Sequence, residues 1–288
     1  MDGWARLNQS LTKKIIFLAV FKTFTHFILW FFSYMKMLKE IVVFLFVILL
    51  SANCLAFSVS TKKEELTKVQ VVSEIYPPYQ RLDDKGELRG WSADKVKLIF
   101  DHASIEYNVK TYPWARAYQL ALIQQNTFIY SLLRTDEREA LFRWIAPLCA
   151  IEFSFYRLKV RPDIKLNSIS DAKNYLIAAQ KGQASAEYLL SLGFESNKNL
   201  SVSYNNDNFI KMLIHGRVEL IVLSLPHFQS LASINPSYAD QIEAVFSMAY
   251  LNEDLYLASS LNTSTVLVEK LRNAYRTLRP KFSSTCHD

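Results

Sequence analysis

Arg134 and Arg138 lie four residues apart in Arg134-Thr135-Asp136-Glu137-Arg138, directly after the apolar run Phe128 to Leu133. A guanidinium presents a planar fork of donors that fits a carboxylate through two parallel hydrogen bonds. The chemistry on offer is capture of an anion; the plainer reading is a surface arginine paired with Glu137 or Glu139. Glu74 stands just before Tyr76-Pro77-Pro78-Tyr79 and could receive an amine, or be an ordinary solvated loop carboxylate. Tyr76 and Tyr79 flank two rigid prolines, where an aromatic face would cover the apolar part of a ligand or simply pack. Trp114 and Arg116 open a helix whose first backbone N–H groups point outward, although a tryptophan there serves equally as core. Tyr130 and Arg134 are expected to project from the same strand end as Arg138.

Catalytic chemistry has little support. No nucleophile elbow, Cys–His pairing or CxxC is present, and His102, His215, His227 and His287 are scattered. We expect no enzymatic activity, no cofactor and no metal site. Of 33 basic and 27 acidic residues, six and two fall in residues 1–56, leaving 27 against 25 in the remainder. That near-neutral balance argues against nucleic acid, which demands a dense basic surface.

The amino terminus reads as targeting. Lys36 and Lys39 precede ten apolar residues, Ile41 to Leu50, followed by small and polar residues up to Ala56. This is the order of a cleavable export signal, and the apolar run is short for a membrane span. The expected cut follows Ala56, and the expected location is the periplasm. Lipidation at Cys54 is the alternative, disfavoured by Asn53. An earlier apolar stretch, Ile15 to Phe32, is either a membrane helix or part of an over-long gene start, with Met35 or Met37 as the true beginning. Cys54 would leave with the signal. Cys149 and Cys286 would remain, to pair in an oxidising compartment or to stay as separate thiols.

These side chains need elements to position them. After the polar lead-in 57–67, strand and helix patterns alternate, which predicts α/β layers. Val69 to Ser73 reads as a strand, Asp83 to Gly86 as a turn, and Gly90-Trp91-Ser92 as a helix start with Ser92 as N-cap. Val109 to Tyr112 and Phe128 to Leu133 read as strands around a helix from Trp114 to Gln125, stopped by Asn126. In the second half, Ser168 starts a short helix, Tyr175 to Ala179 is a strand, and a helix runs from Ser185 to Leu192. Asn206 caps a further helix to Ile214, and Val218 to Leu223 is a buried strand.

Tyr76-Pro77-Pro78-Tyr79, Gly86, Gly90-Trp91 and Asp94 together resemble the first lobe of the family 3 bacterial extracellular solute-binding proteins. Arg134 to Arg138 with Phe142 and Ala146-Pro147 resembles that family's Thr-x-x-Arg … Phe … Pro segment. Ser168 to Lys173, Gly182 and Gly216-Arg217-Val218-Glu219 resemble its second lobe. The resemblance spans about residues 68 to 279. It implies a type II periplasmic-binding fold of two α/β lobes: 68–152 plus 253–288 as lobe one and 153–252 as lobe two. Hinge crossings would lie near Glu152–Tyr156 and Leu251–Leu257, and the lobes would close on ligand.

The resemblance also places Arg138 at the carboxylate anchor. Other positions depart from the family. Ser224 stands where amino-acid binders carry an acid for the α-amino group, Gly182-Gln183-Ala184 with Ser185 replaces Gly-Thr-Thr, and Leu133 replaces a small hydroxyl residue. The implied function is a monomeric solute-binding protein that captures a small polar, carboxylate-bearing ligand for an ABC importer. The alternatives are a sensing module for a membrane signalling partner and, more remotely, a dehydratase-type enzyme on the same fold.

Overall fold

The computed structural model describes residues 34–40, 69–196, 198–204, 208–282 and 286. The chain divides into two units, Met1–Glu65 and Leu66–Asp288. In the first, residues 34–40 are helical and exposed. The apolar run of the expected signal, its cut site, the earlier apolar stretch and the lead-in all lie outside the described residues, as does Asn206. Among the described residues no helix is long and apolar enough to cross a membrane.

The larger unit begins with β1 (Val69–Ser73), whose β-branched residues suit a strand paired on both edges and buried on both faces. The hairpin β2 (Arg81–Leu82) and β3 (Leu88–Arg89) follows, its turn held by Asp83 Oδ1, which accepts from the backbone N–H groups of Lys85 and Glu87. Next come α1 (Trp91–His102), β4 (Tyr107–Thr111), α2 (Trp114–Ile123), β5 (Thr127–Leu133), one turn of helix α3 (Asp136–Glu139), and β6 (Phe142–Ile151). The chain then crosses into lobe two at Glu152. There it forms β7 (Phe153–Leu158), a 3-10 turn at Ile169–Asn174, β8 (Ile177–Gln180), α4 (Ala184–Ser191), β9 (Leu200–Ser203), α5 (Phe209–Ile214), β10 (Leu220–Ser224), α6 (Leu225–Ile234), α7 (Ser237–Gln241) and β11 (Ile242–Ser247). A 3-10 turn at Ala249–Leu251 returns it to β12 (Glu253–Ser260) and α8 (Thr265–Leu278).

Each lobe is a five-stranded mixed sheet. The orders are β4-β1-β5-β12-β6 and β11-β7-β10-β8-β9. In lobe one, β1 runs parallel to both β4 and β5, so the chain leaves β1 to one side and later returns on the other. Such a switch point opens a crevice beyond the carboxyl ends of the strands. In lobe two, β8 is likewise parallel to β9 and β10. The ends of β1, β5, β8 and β10 therefore supply the groups that meet between the lobes. The second crossing passes through the 3-10 turn and Asn252 into β12, and Asn252 Oδ1 accepts from Phe153 N, which ties the two crossings together.

The start of α1 explains the Gly-Trp pair. The first helical N–H groups lack intrahelical partners. Here Trp91 N donates to Pro78 O, and Ser92 and Ala93 N both donate to Tyr79 O. The N-cap is Gly90 rather than Ser92, and no side chain caps it; Ser92 is buried inside the first turn. The Pro-Pro-Tyr loop already fills the capping role, so a hydroxyl cap is redundant. Gly90 has φ 126°, and a Cβ there would collide with Pro78 O and lie 2.8 Å from Tyr79 O. Gly90→Ala is expected to destabilise by about 2 kcal/mol or more, from the forbidden φ and the clash together. Chemical denaturation measures it, and an unchanged midpoint would refute the capping account.

Asn126 adopts φ 50°, as a left-handed stop would, but it lies beyond the helix end at Ile123; its Oδ1 accepts from Ser264 N instead. Other boundaries shift by one or two residues from expectation: β8 begins at Ile177, α4 at Ala184 and β10 at Leu220. Cys149 on β6 is disulfide-bonded to Cys286, with a Cα–Cα distance of 5.4 Å. The reading as separate thiols is thereby excluded.

Candidate ligand-binding site

The site is assembled from strand ends. Beyond β1, Glu74 enters the cleft between the lobes. Gln180 and Gln183, at and beyond the end of β8, each donate an amide hydrogen bond of 2.7 Å to one of its two oxygens. Tyr76, held by the proline pair, shares a 3.0 Å hydrogen bond with Ser224 at the end of β10. Burial pushes the Tyr76 hydroxyl well above the ordinary tyrosine range, so it stays neutral and able to donate. His227 on α6 stacks on the Tyr76 ring at 4.1 Å, and its Nδ1 lies 2.6 Å from Pro77 O. A carbonyl only accepts, so that nitrogen carries the proton. Trp114 at the start of α2 donates from Nε1 to Gly182 O across the cleft at 2.6 Å.

Arg138 completes the set. It sits in α3, is 1% exposed, and stacks at 5.0 Å over Tyr118. Nη1 donates to Leu133 O, Nη2 to Gly182 O, and Nε and Nη2 both to Glu187 Oε2 at 3.2 and 2.8 Å. Neither Glu137 nor Glu139 is its partner. The arginine that pairs with Glu139 is Arg134, which turns outward against Trp144 and Tyr256.

Glu74, Tyr76, Trp114 and Arg138, among the expected residues, line a cavity of about 20 Å³ with Gln80, Ser131, Leu133, Ile151, Phe153, Gln183, Ala184 and Leu255. That volume admits about one water. The cleft is closed on its own side chains. Arg134, Tyr130, Tyr79, Arg116, Ser185 and Ser224 do not line the cavity. Tyr79 is buried against Tyr76 and Trp91, Arg116 is exposed on α2, and Ser185 is buried in α4. Ser224 reaches the site only through Tyr76, and it also caps α6 by accepting from His227 N.

The misplacement of Tyr130 has a physical cause. Leu132 pairs with Tyr256 and Ile129 with Ala258, so β5 carries one residue more than β12 across this step. This is a β-bulge, and it breaks the two-residue alternation. Ser131 takes φ 57° and aims into the cavity. Phe128, Tyr130 and Leu133 all fall on one core face, with Ile129 and Leu132 on the other. Ser131 Oγ donates to Gln80 Oε1, Gln80 Nε2 to Ser73 Oγ, and Ser73 Oγ to Tyr130 O, a relay that fixes the cavity floor. Gln80, Ser131, Gln180 and Glu187 escaped sequence reasoning. The one usable signal was the cluster of amides beside Gly182. Among the described residues no group of three or more His, Cys, Asp or Glu is placed to hold a metal.

Two α/β lobes whose parallel strands end on a shared cleft define a two-lobed binding protein. The chain belongs to the bacterial extracellular solute-binding proteins, family 3, whose model matches residues 69–279. An ancestral arginine-binding protein bound to arginine has TM-score 0.63 and 19% identity, over 74% of this chain and 92% of that one. The arginine-, lysine-, histidine-binding protein ArtJ from Geobacillus stearothermophilus has TM-score 0.64 and 15% identity, over 75% and 90%. A histidine kinase sensor domain with similarity to periplasmic binding proteins has TM-score 0.63 and 14% identity, over 75% and 91%. At such identities the likeness establishes the fold. No match was found among curated proteins.

Proposed function

We propose that the protein is a periplasmic solute-binding protein that closes on a small zwitterion, an amino acid or derivative, and hands it to a membrane importer. One observation carries this reading: the cleft presents a buried guanidinium and a buried carboxylate, Arg138 and Glu74, each bonded across to lobe two. A ligand carboxylate suits the first and an ammonium group the second, since unlike charges out of water attract strongly. The Cys149–Cys286 bond fits an oxidising compartment such as the periplasm. The family and the structural neighbours are binding proteins, which favours capture over catalysis. The sensor-domain neighbour keeps a second reading in play, in which the same closure signals to a membrane partner.

A thermal-shift screen of the purified protein against amino acids, simple carboxylates and polyamines, followed by calorimetry, tests the proposal. At least one zwitterion should raise the melting temperature. Glu74→Gln should weaken that ligand by about tenfold while sparing its analogue without the amine. Binding of polyamines alone would overturn the reading.

A further inference from the structure

We infer that Glu187 is an internal occupant of the Arg138 anchor: a carboxylate of lobe two that stands where a ligand carboxylate would bind, so that ligand enters by displacing it. The inference rests on the reading of Arg138 given above, and it adds a residue that sets the site's affinity.

The two partners are held very differently. Arg138 is fixed by the protein on every side, by Leu133 O, Gly182 O and the Tyr118 ring. Glu187 has a side chain 43% exposed, and its carboxylate has no second hydrogen-bond partner among the described residues. One group is preorganised and buried, and the other is reachable from solvent and held, among the described residues, by the two hydrogen bonds from Arg138. That is the asymmetry between a receptor and a replaceable ligand.

The pair is also the one ion pair that crosses between the lobes among the described residues. In the other bonds across the cleft, lobe two contributes side-chain amides, a hydroxyl, a ring N–H and a carbonyl, none of them charged. A carboxylate in this place is therefore the charge that draws lobe two onto Arg138. Its position follows from local structure: the turn at Gly182 starts α4 at Ala184, which puts Glu187 in the first helical turn on the cleft side. The cavity that Arg138 lines holds about 20 Å³, room for about one water, so in the closed cleft no carboxylate-bearing solute shares the anchor with Glu187. Removing the competitor raises the competent fraction of the protein and so tightens apparent affinity.

Chemical rescue tests this without any knowledge of the natural ligand. Glu187→Ala should melt at a lower temperature than the parent and show a larger radius of gyration by X-ray scattering. Sodium acetate, compared with sodium chloride at equal ionic strength, should restore both, saturating in the millimolar range. The parent should be indifferent to acetate, as should the double variant Arg138→Ala/Glu187→Ala. Should Glu187→Ala fail to fold, Glu187→Gln should show the same acetate-specific rise. Equal responses to acetate and chloride would overturn the inference, as would a response that persists in the double variant. The outcomes separate the two proposals. Acetate rescue in a protein that binds no amino acid leaves the internal occupant standing and removes the solute-binding reading. Arg138-dependent amino-acid binding without acetate rescue does the reverse.

Discussion

Arg138→Ala is expected to weaken the binding of a carboxylate-bearing ligand by about ten- to a hundredfold, the largest effect of any single change in the cleft. A charge-assisted contact contributes roughly 1.5–3 kcal/mol, and about 1.4 kcal/mol is a factor of ten. The same change removes a side chain that is 1% exposed and bonded to two carbonyls and a carboxylate, so stability falls as well. We expect a loss of about 2 kcal/mol. It stays below the cost of stranding a buried charge, because the abandoned Glu187 can be solvated. The fold should survive. Arg138→Lys should recover little of the affinity, since an ammonium cannot span the same acceptors. Arg134→Ala is the control, because Arg134 faces Glu139 and solvent. Calorimetry and urea titration measure both quantities. Parent-like binding by Arg138→Ala beside a defect in Arg134→Ala would move the anchor to Arg134.

Loss of the Cys149–Cys286 bond should cost about 3–5 kcal/mol, the largest stability effect in the molecule. The bond closes a loop with a sequence separation of 137, and cross-links over long loops restrict the unfolded chain most. That loop encloses all of lobe two. The bond also holds Cys286 against β6, where Lys95 donates to Leu148 O and its pKa is lowered by burial. Cys149→Ser/Cys286→Ser should therefore unfold at markedly lower urea than the oxidised parent. The parent treated with a reductant should approach the variant. Coincident midpoints for all three would refute the assignment of a structural role.

The sequence was most legible where it encodes backbone. The β-branched run of β1, the proline pair and the Gly90-Trp91 start of α1 each dictate local geometry, and their order carried the family resemblance. Arg138 was singled out by the family resemblance and Glu74 by its place just before the proline pair, and both line the cavity. The remainder of the site depends on long-range pairing. Glu187 lies 49 residues from Arg138, and a glutamate in a first helical turn is ordinarily just a favourable charge near the helix dipole. The bulge in β5 left no mark in the Tyr-Ser-Leu-Leu run, yet it decides which of Tyr130 and Ser131 enters the cavity. Ser92 looked like a cap because hydroxyls usually are; backbone carbonyls 13 residues earlier had taken the role.

The sheet order β4-β1-β5-β12-β6 bears on synthesis as well as on architecture. β12 lies between β5 and β6, although it is made after the whole of lobe two. As the chain emerges from the ribosome, lobe two has all five of its strands by Ser247, while lobe one lacks its bridging strand until Ser260. Until then β5 and β6 have no partner to join them, and Cys149 waits for a thiol near the carboxyl terminus. The earliest-made half is thus the last to have all of its strands.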